Sequence, residues 1–93
     1  MTASESFEVE WSPTALRSLE RLPEKIAISA LEYLYGPLAA SPYRVGKALH
    51  FELEGLYSAH RGDYRILYEI DREKQRIRIQ AIAHRSDVYR RRQ

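Results

Sequence analysis

Two runs in the second half of the chain, DYRILYEID (63–71) and QRIRIQAIA (75–83), alternate apolar and polar residues with only a short polar stretch between them. A period of two describes an extended strand, whose successive side chains point to opposite faces, whereas a helix would scatter the same residues around its axis. The spacing therefore predicts two strands joined by a tight turn over Asp71 to Lys74, hence an antiparallel pair. In the first, Tyr64, Ile66, Tyr68 and Ile70 share the core face, with Arg65, Leu67 and Glu69 opposite. In the second, unbroken alternation sends Ile77, Ile79, Ala81 and Ala83 inward and Arg76, Arg78, Gln80, Ile82 and His84 outward. Arg65, Arg78 and His84 are then expected together on the face that the core does not use.

The rest of the chain supplies something to cover the other face. FEVEW (7–11) reads as a half-buried strand. Ser12 and Pro13 form an N-cap and a first-turn proline, and Ala15, Leu16, Leu19 and Leu22 recur at helical spacing, which predicts a helix over 13–22. Pro23 begins a second helix whose apolar positions, Ile26, Ala30, Leu31, Tyr33 and Leu34, run to a stop signal at Gly36-Pro37. Residues 38–47 read as a connection. From Leu49 the alternation returns, with Leu49, Phe51 and Leu53 against His50, Glu52 and Glu54, until Gly55 interrupts it; this is the expected first strand of a three-stranded antiparallel meander. The fold class is α+β: an N-terminal strand, a helical hairpin, then the meander, with helices on one face and an open basic face opposite. No linker or repeat divides the 93 residues, which are read as a single domain with residues 1–6 and 91–93 flexible. Ser86 is a candidate N-cap for a short terminal helix.

Composition narrows what such a fold can do. There is no cysteine, so no disulfide and no thiolate metal site. No run of eighteen apolar residues or secretory leader occurs, and a soluble cytoplasmic protein is expected. The net charge of +2 hides an asymmetry: residues 1–56 carry −3 and residues 57–93 carry +5, with nine of the ten basic residues in the second part being arginine. The arginine fork pairs with phosphate in bidentate fashion and stacks on bases, so a polyanion is the expected partner. A charge run is more commonly a solvated face, and the distinction depends on whether the arginines share one surface.

A histidine, a tyrosine and clustered arginines, with no paired carboxylates and no metal-ligand spacing, suit attack by an RNA 2′-hydroxyl on its own adjacent phosphate. That reaction needs a group to take the 2′ proton, cations around the pentacoordinate phosphorus and an acid for the 5′ oxygen. His84 is the first proton-transfer candidate and His60 the second, because histidine titrates near working pH. Arg65, Arg61 and Arg85 suit the phosphate, and Tyr89 suits stacking on a splayed base or donating its hydroxyl. Each has a structural alternative: His84 as an exposed strand end, Arg65 as the partner of Glu69 or Glu52, and Tyr64 and Tyr68 as core. A glycine-rich phosphate loop, a G-x-S-x-G elbow and an H-E-x-x-H helix are all missing, so no cofactor or metal is implied. On residues alone the reading stops at a basic module that binds RNA or another polyanion, with parts for nuclease chemistry.

The order of elements, together with LEGLYSAHRGDYRILYEI (53–70) and IAHRSDVYRR (82–91), resembles the RelE/ParE superfamily of bacterial toxins, and within it the RelE-type mRNA interferases. The likeness runs from Phe7 to Arg91; its most specific pieces are the G-x-Y-R strand opening and the closing H-R-x-D-V-Y. It implies a toxin that enters the 70S ribosome's decoding site and cuts mRNA without metal. It also implies a cognate antitoxin that wraps around the toxin and binds operator DNA. The catalytic set so implied is Arg65, His84, Arg85 and Tyr89, with His60 where the best-known pattern has a lysine. Arg61, Arg78, Lys47, Arg90 and Arg91 are the expected RNA-binding cations. Two other classes remain open: a ParE-like DNA gyrase inhibitor, and a non-catalytic domain that binds an antitoxin through apolar surface around Trp11, Leu38 and Leu67.

Overall fold

The computed structural model describes residues 6–50 and 53–84. Both alternating runs are strands, β4 (Tyr64–Asp71) and β5 (Arg76–His84), paired antiparallel. The turn between them is closed by Asp71 Oδ1, which accepts from the Lys74 N–H at 3.2 Å, and by Gln75 in the left-handed region at φ 51. β3 (Tyr57–Arg61) pairs antiparallel with β4 across Gly62 and Asp63. Gly62 is at φ +59 and Asp63 is not in the positive region, the type II′ pattern whose twist matches a hairpin. At the far side of β5, β1 (Glu8–Trp11) runs parallel to it, and β2 (Lys47–Ala48) closes the opposite edge, giving a five-stranded sheet in the order β1-β5-β4-β3-β2.

The meander's first strand is not where the sequence pattern put it. Leu49 and Leu53 flank a turn instead: Leu49 N–H donates to Leu56 O at 2.8 Å, Leu53 N–H to His50 O at 3.2 Å and Leu56 N–H to Leu53 O at 3.0 Å. Gly55, at φ +98, lets the chain reverse there. The strand is YSAHR, where the inward residues are Tyr57, Ala59 and Arg61. A small residue and a cation at inward positions leave too weak an apolar alternation to notice.

Helix α1 (Pro13–Arg21) starts where expected, because Ser12 Oγ accepts from the Ala15 N–H at 3.0 Å. The same hydroxyl donates to Gln80 O at 3.0 Å, tying the helix start to β5. Helix α2 (Glu24–Tyr33) does not stop at Gly36-Pro37. It continues into a π-helical turn, Leu34–Leu38, that contains both residues, and a short helix α3 (Pro42–Val45) follows. Proline removes a donor from a helical ladder, and a widened turn is one way for a chain to absorb that loss. What holds the turn here is burial: Leu34 and Leu38 are both fully enclosed. Leu38 is therefore core, and not part of an exposed apolar patch. No helix among the described residues is long and apolar enough to cross a membrane.

The core lies between the helices and one face of the sheet. Ala59, Tyr64, Ile66, Tyr68, Ile77, Ile79 and Ile82 meet Ala15, Leu22, Ala30, Tyr33, Leu34 and Leu38. Full burial of an isoleucine such as Ile77 stabilises by about 1.5–3 kcal/mol, so this layer holds the sheet to the hairpin. Tyr64 and Tyr68 are core residues, as their shared face with Ile66 suggested.

One irregularity reverses half of the predicted register. Leu67 pairs with Ala81 but Tyr68 pairs with Ile79, so Gln80 is an extra residue, a β-bulge in β5. Beyond it the faces swap: Ile82 is buried opposite Ile66, and His84 lies opposite Tyr64 on the helix side. The expectation that Ala81 and Ala83 point inward while His84 joins Arg65 on the open face is thus corrected. Burying Ile82 in place of alanine removes more apolar surface from water, and the bulged Gln80 carbonyl finds its partner in Ser12.

Candidate active site

Residues paired directly across a sheet project from the same face, so the strand register fixes what the open face displays. At one end, Lys47, Ser58, Leu67 and Ala81 form a row across four strands, and His60, Arg65 and Ala83 form the next. Toward the other end come Glu69, Arg78 and Glu10, then Asp71, Arg76 and Glu8. The face is divided: the first two rows hold cations and no acid, and the last two alternate acid, base, acid.

Arg65 and His60 are a directly opposed pair, and both are exposed. Among the described residues Arg65 enters no ion pair, so Glu69 does not occupy it; Glu52 lies outside the described residues. A bidentate cation next to a histidine, with no ion-paired carboxylate among the described residues, can hold a phosphate and exchange a proton beside it. Lys47 stands on the same face, opposite Ser58.

The other expected residues are placed differently. Arg61 is on the helix side, opposite Tyr64, with its guanidinium 5.0 Å from the centroid of the Tyr33 ring, a cation–π contact. Burial pushes the Tyr33 hydroxyl up, Arg61 pulls it down by a lesser amount, and Tyr64 adds to the rise. Tyr64 also lies within hydrogen-bond reach of Ser29, at 3.4 Å between hydroxyls. His84, half-buried, belongs to this helix-side group. Arg78 donates to Glu10 at 2.7 Å and Arg76 lies 3.5 Å from Glu8. Neither is a bare cation. Arg85, Tyr89, Arg90 and Arg91 lie outside the described residues.

Sequence reasoning missed Tyr33, which sits under Arg61, because nothing local links α2 to the end of β3. It also missed the glutamates that neutralise Arg76 and Arg78. A signal for those was present: the polar positions of FEVEW are both glutamate, so that strand had to face cations or water.

The family model described as "ParE toxin of type II toxin-antitoxin system, parDE" matches residues 9–89. The chain belongs to the RelE/ParE superfamily of type II toxin–antitoxin toxins. This RelE-like toxin is 49% identical over 90 residues to Toxin RelE of Mycobacterium tuberculosis, covering 97% of this chain and 93% of that protein. It is 45% identical to Toxin RelG of the same organism, over 91% of this chain and 98% of that one. Its fold matches a chain of the toxin–antitoxin complex RelBE2 from Mycobacterium tuberculosis with a TM-score of 0.85 at 43% identity, covering 88% of this chain and 94% of that chain. The isolated RelE toxin of E. coli gives a TM-score of 0.70 at 18% identity, over 92% of this chain and 94% of that one, a likeness of fold alone.

Proposed function

We propose that this RelE-like toxin is an mRNA interferase, a ribosome-dependent endoribonuclease that cuts mRNA in the decoding site and so arrests translation. The 2′-oxygen forms a bond to the adjacent phosphorus, the bond from phosphorus to the 5′-oxygen breaks, and one proton moves from the 2′-hydroxyl to a protein group while another reaches the leaving oxygen. The observation that carries this reading is the exposed His60–Arg65 pair at the end of the open face whose cross-strand rows hold no acid among the described residues. Arg65 holds the phosphate and its developing charge, and His60 is within one cross-strand neighbour to move a proton. His84 approaches from the helix side of the same sheet end, and Arg85 and Tyr89, which follow it in sequence, complete the proposed catalytic set, Arg85 as a further phosphate cation and Tyr89 by stacking on a base or supplying its hydroxyl. The relatives named RelE and RelG, at 49% and 45% identity, support reading the chain as a RelE-type toxin.

The toxin acts in the cytoplasm, where ribosomes are. A cognate antitoxin neutralises it, as the toxin–antitoxin complex from Mycobacterium tuberculosis suggests by analogy, and binds operator DNA on behalf of the complex. A second reading, a gyrase inhibitor, is favoured by the ParE description of the matching family model. Controlled expression in bacteria separates the two, with mapping of mRNA ends and of gyrase-linked DNA breaks. Codon-phased mRNA cuts with intact DNA are expected, and Arg65→Ala should lower cleavage by about 10²–10³-fold. DNA breaks without mRNA cuts would sink the interferase reading.

A further inference from the structure

The two acid–base–acid rows of the open face have no part in holding a phosphate, yet they occupy half of the surface on which RNA is proposed to lie. In the nearer row Arg78 is engaged by Glu10 at 2.7 Å, while Glu69, exposed on β4, is in no ion pair among the described residues. In the farther row Arg76 is shared between Glu8 at 3.5 Å and Glu10 at 3.7 Å, and Asp71 turns an oxygen to the Lys74 N–H. Each row carries two carboxylates to one guanidinium, so each is net negative. Along β4, Arg65 and Glu69 are four residues apart on the same face, roughly 13 Å at the usual strand rise. That is about one and a half screening lengths at physiological salt, where one length is about 8 Å. A phosphate seated on Arg65 is therefore largely screened from Glu69, whereas one displaced along β4 by half that distance or more comes within a single screening length of it.

We infer that these rows are an electrostatic boundary: they confine a nucleic-acid strand to the His60–Arg65 and Lys47–Ser58 rows, so that it crosses the strands of the sheet and does not run along them, and Glu69 is the specificity-determining residue at the edge. Arg76 and Arg78 are then held by their glutamates and do not bind RNA. The inference rests on the proposal that this face takes RNA, and deepens it by giving the strand a track. The boundary acts by repulsion, so its signature is a gain of binding when it is removed, in contrast to the loss expected from a contact residue.

The test uses the full chain and a single-stranded oligodeoxynucleotide, which lacks the 2′-hydroxyl and is not cut, with affinity measured between 50 and 200 mM salt. Glu69→Lys should tighten binding and add one phosphate contact. Each such contact steepens the log–log salt slope by about 0.7, so the advantage over wild type should shrink about 2.5-fold across that salt range. Glu69→Gln, which places no like charge beside Arg78, should tighten binding without changing the slope. Glu20→Lys, the same charge change on exposed α1 at the helix side, is the control and should alter affinity far less. Equal gains from Glu20→Lys and Glu69→Lys reduce the effect to net charge and overturn the boundary alone. No binding by any of these proteins overturns both the boundary and the RNA-binding reading beneath it.

Discussion

Tyr64 faces His84 directly across the β4–β5 ladder, and Arg65, the next residue, faces Ala83. Neighbouring residues of a strand project from opposite sides, so His84 and Arg65 stand on the two faces of one sheet end. His60, opposite Arg65, is the histidine that shares its face.

This geometry ranks the two histidines. If a phosphate sits on Arg65 and proton abstraction occurs on the open face, His60→Gln should lower the single-turnover rate of cleavage on programmed ribosomes by about 10²-fold or more. His84→Gln should cost less, because its ring reaches the phosphate only around the sheet end. The opposite ranking would transfer the first proton to His84 and require RNA to approach from the helix side.

Arg78 is expected to serve the fold. Its bond to Glu10 joins β5 to the parallel edge strand β1, and both side chains are partly exposed, at 38% and 44%. A double-mutant cycle of Arg78→Ala and Glu10→Ala should give a coupling of about 0.5–1 kcal/mol in denaturant unfolding, weakening as salt is raised. Affinity for RNA should fall no more with Arg78→Ala than with removal of an exposed cation from the helix side. A specific loss of RNA binding, with stability unchanged, would make Arg78 a contact residue.

The parts of the fold that could be read from sequence were those in which local signals agree with packing. Ser12-Pro13 marks the start of α1 because the cap and the ring are sufficient there, and DYRILYEID alternates cleanly because both of its neighbours are strands. The failures share a different cause. Gln80 is polar at a polar position, so the pattern through QRIRIQAIA gives no sign of an inserted residue; the bulge exists because Ile82 is buried and the hydroxyl of Ser12, 68 residues away, donates to the displaced carbonyl. Gly36-Pro37 is a sound stop signal until Leu34 and Leu38 are both required in the core. The placement of the candidate residues followed the same division: the face taken by Arg65 was legible from the alternation of its strand, whereas the face taken by His84 depended on a long-range contact.

Gly46 illustrates such a contact and yields a stability prediction. A Cβ at this position would run into the Tyr68 hydroxyl and lie 3.2 Å from the Ser58 carbonyl oxygen. That hydroxyl is fully enclosed and donates to Pro42 O at 2.7 Å, anchoring α3 to β4. Gly46→Ala should therefore destabilise by about 1–3 kcal/mol in denaturant unfolding, the usual cost of overpacking. Tyr68→Phe should lose about 1–2 kcal/mol by stranding the carbonyl. Because it removes the colliding oxygen, the double variant should be less destabilised than the sum. Strict additivity would show that the two do not share a contact.

The same buried phenols set the alkaline limit of the fold. Burial is the largest cause raising both Tyr33 and Tyr68 above the ordinary tyrosine value of 10.0; Arg61 partly offsets it at Tyr33, and neighbouring tyrosines add to it at Tyr68. The folded state thus favours the neutral phenols more strongly than the unfolded chain does. Their contribution is whole below the unfolded value, near 10, and is lost as pH rises through the raised folded values, since the unfolded chain gives up these protons first. Denaturant midpoints should change little from these groups between about pH 7 and 9 and fall steeply above about pH 10. Tyr33→Phe should lessen that fall, because a phenylalanine has no proton to lose. A fall of the same steepness in Tyr33→Phe would assign the alkaline limit to Tyr68 or to other groups.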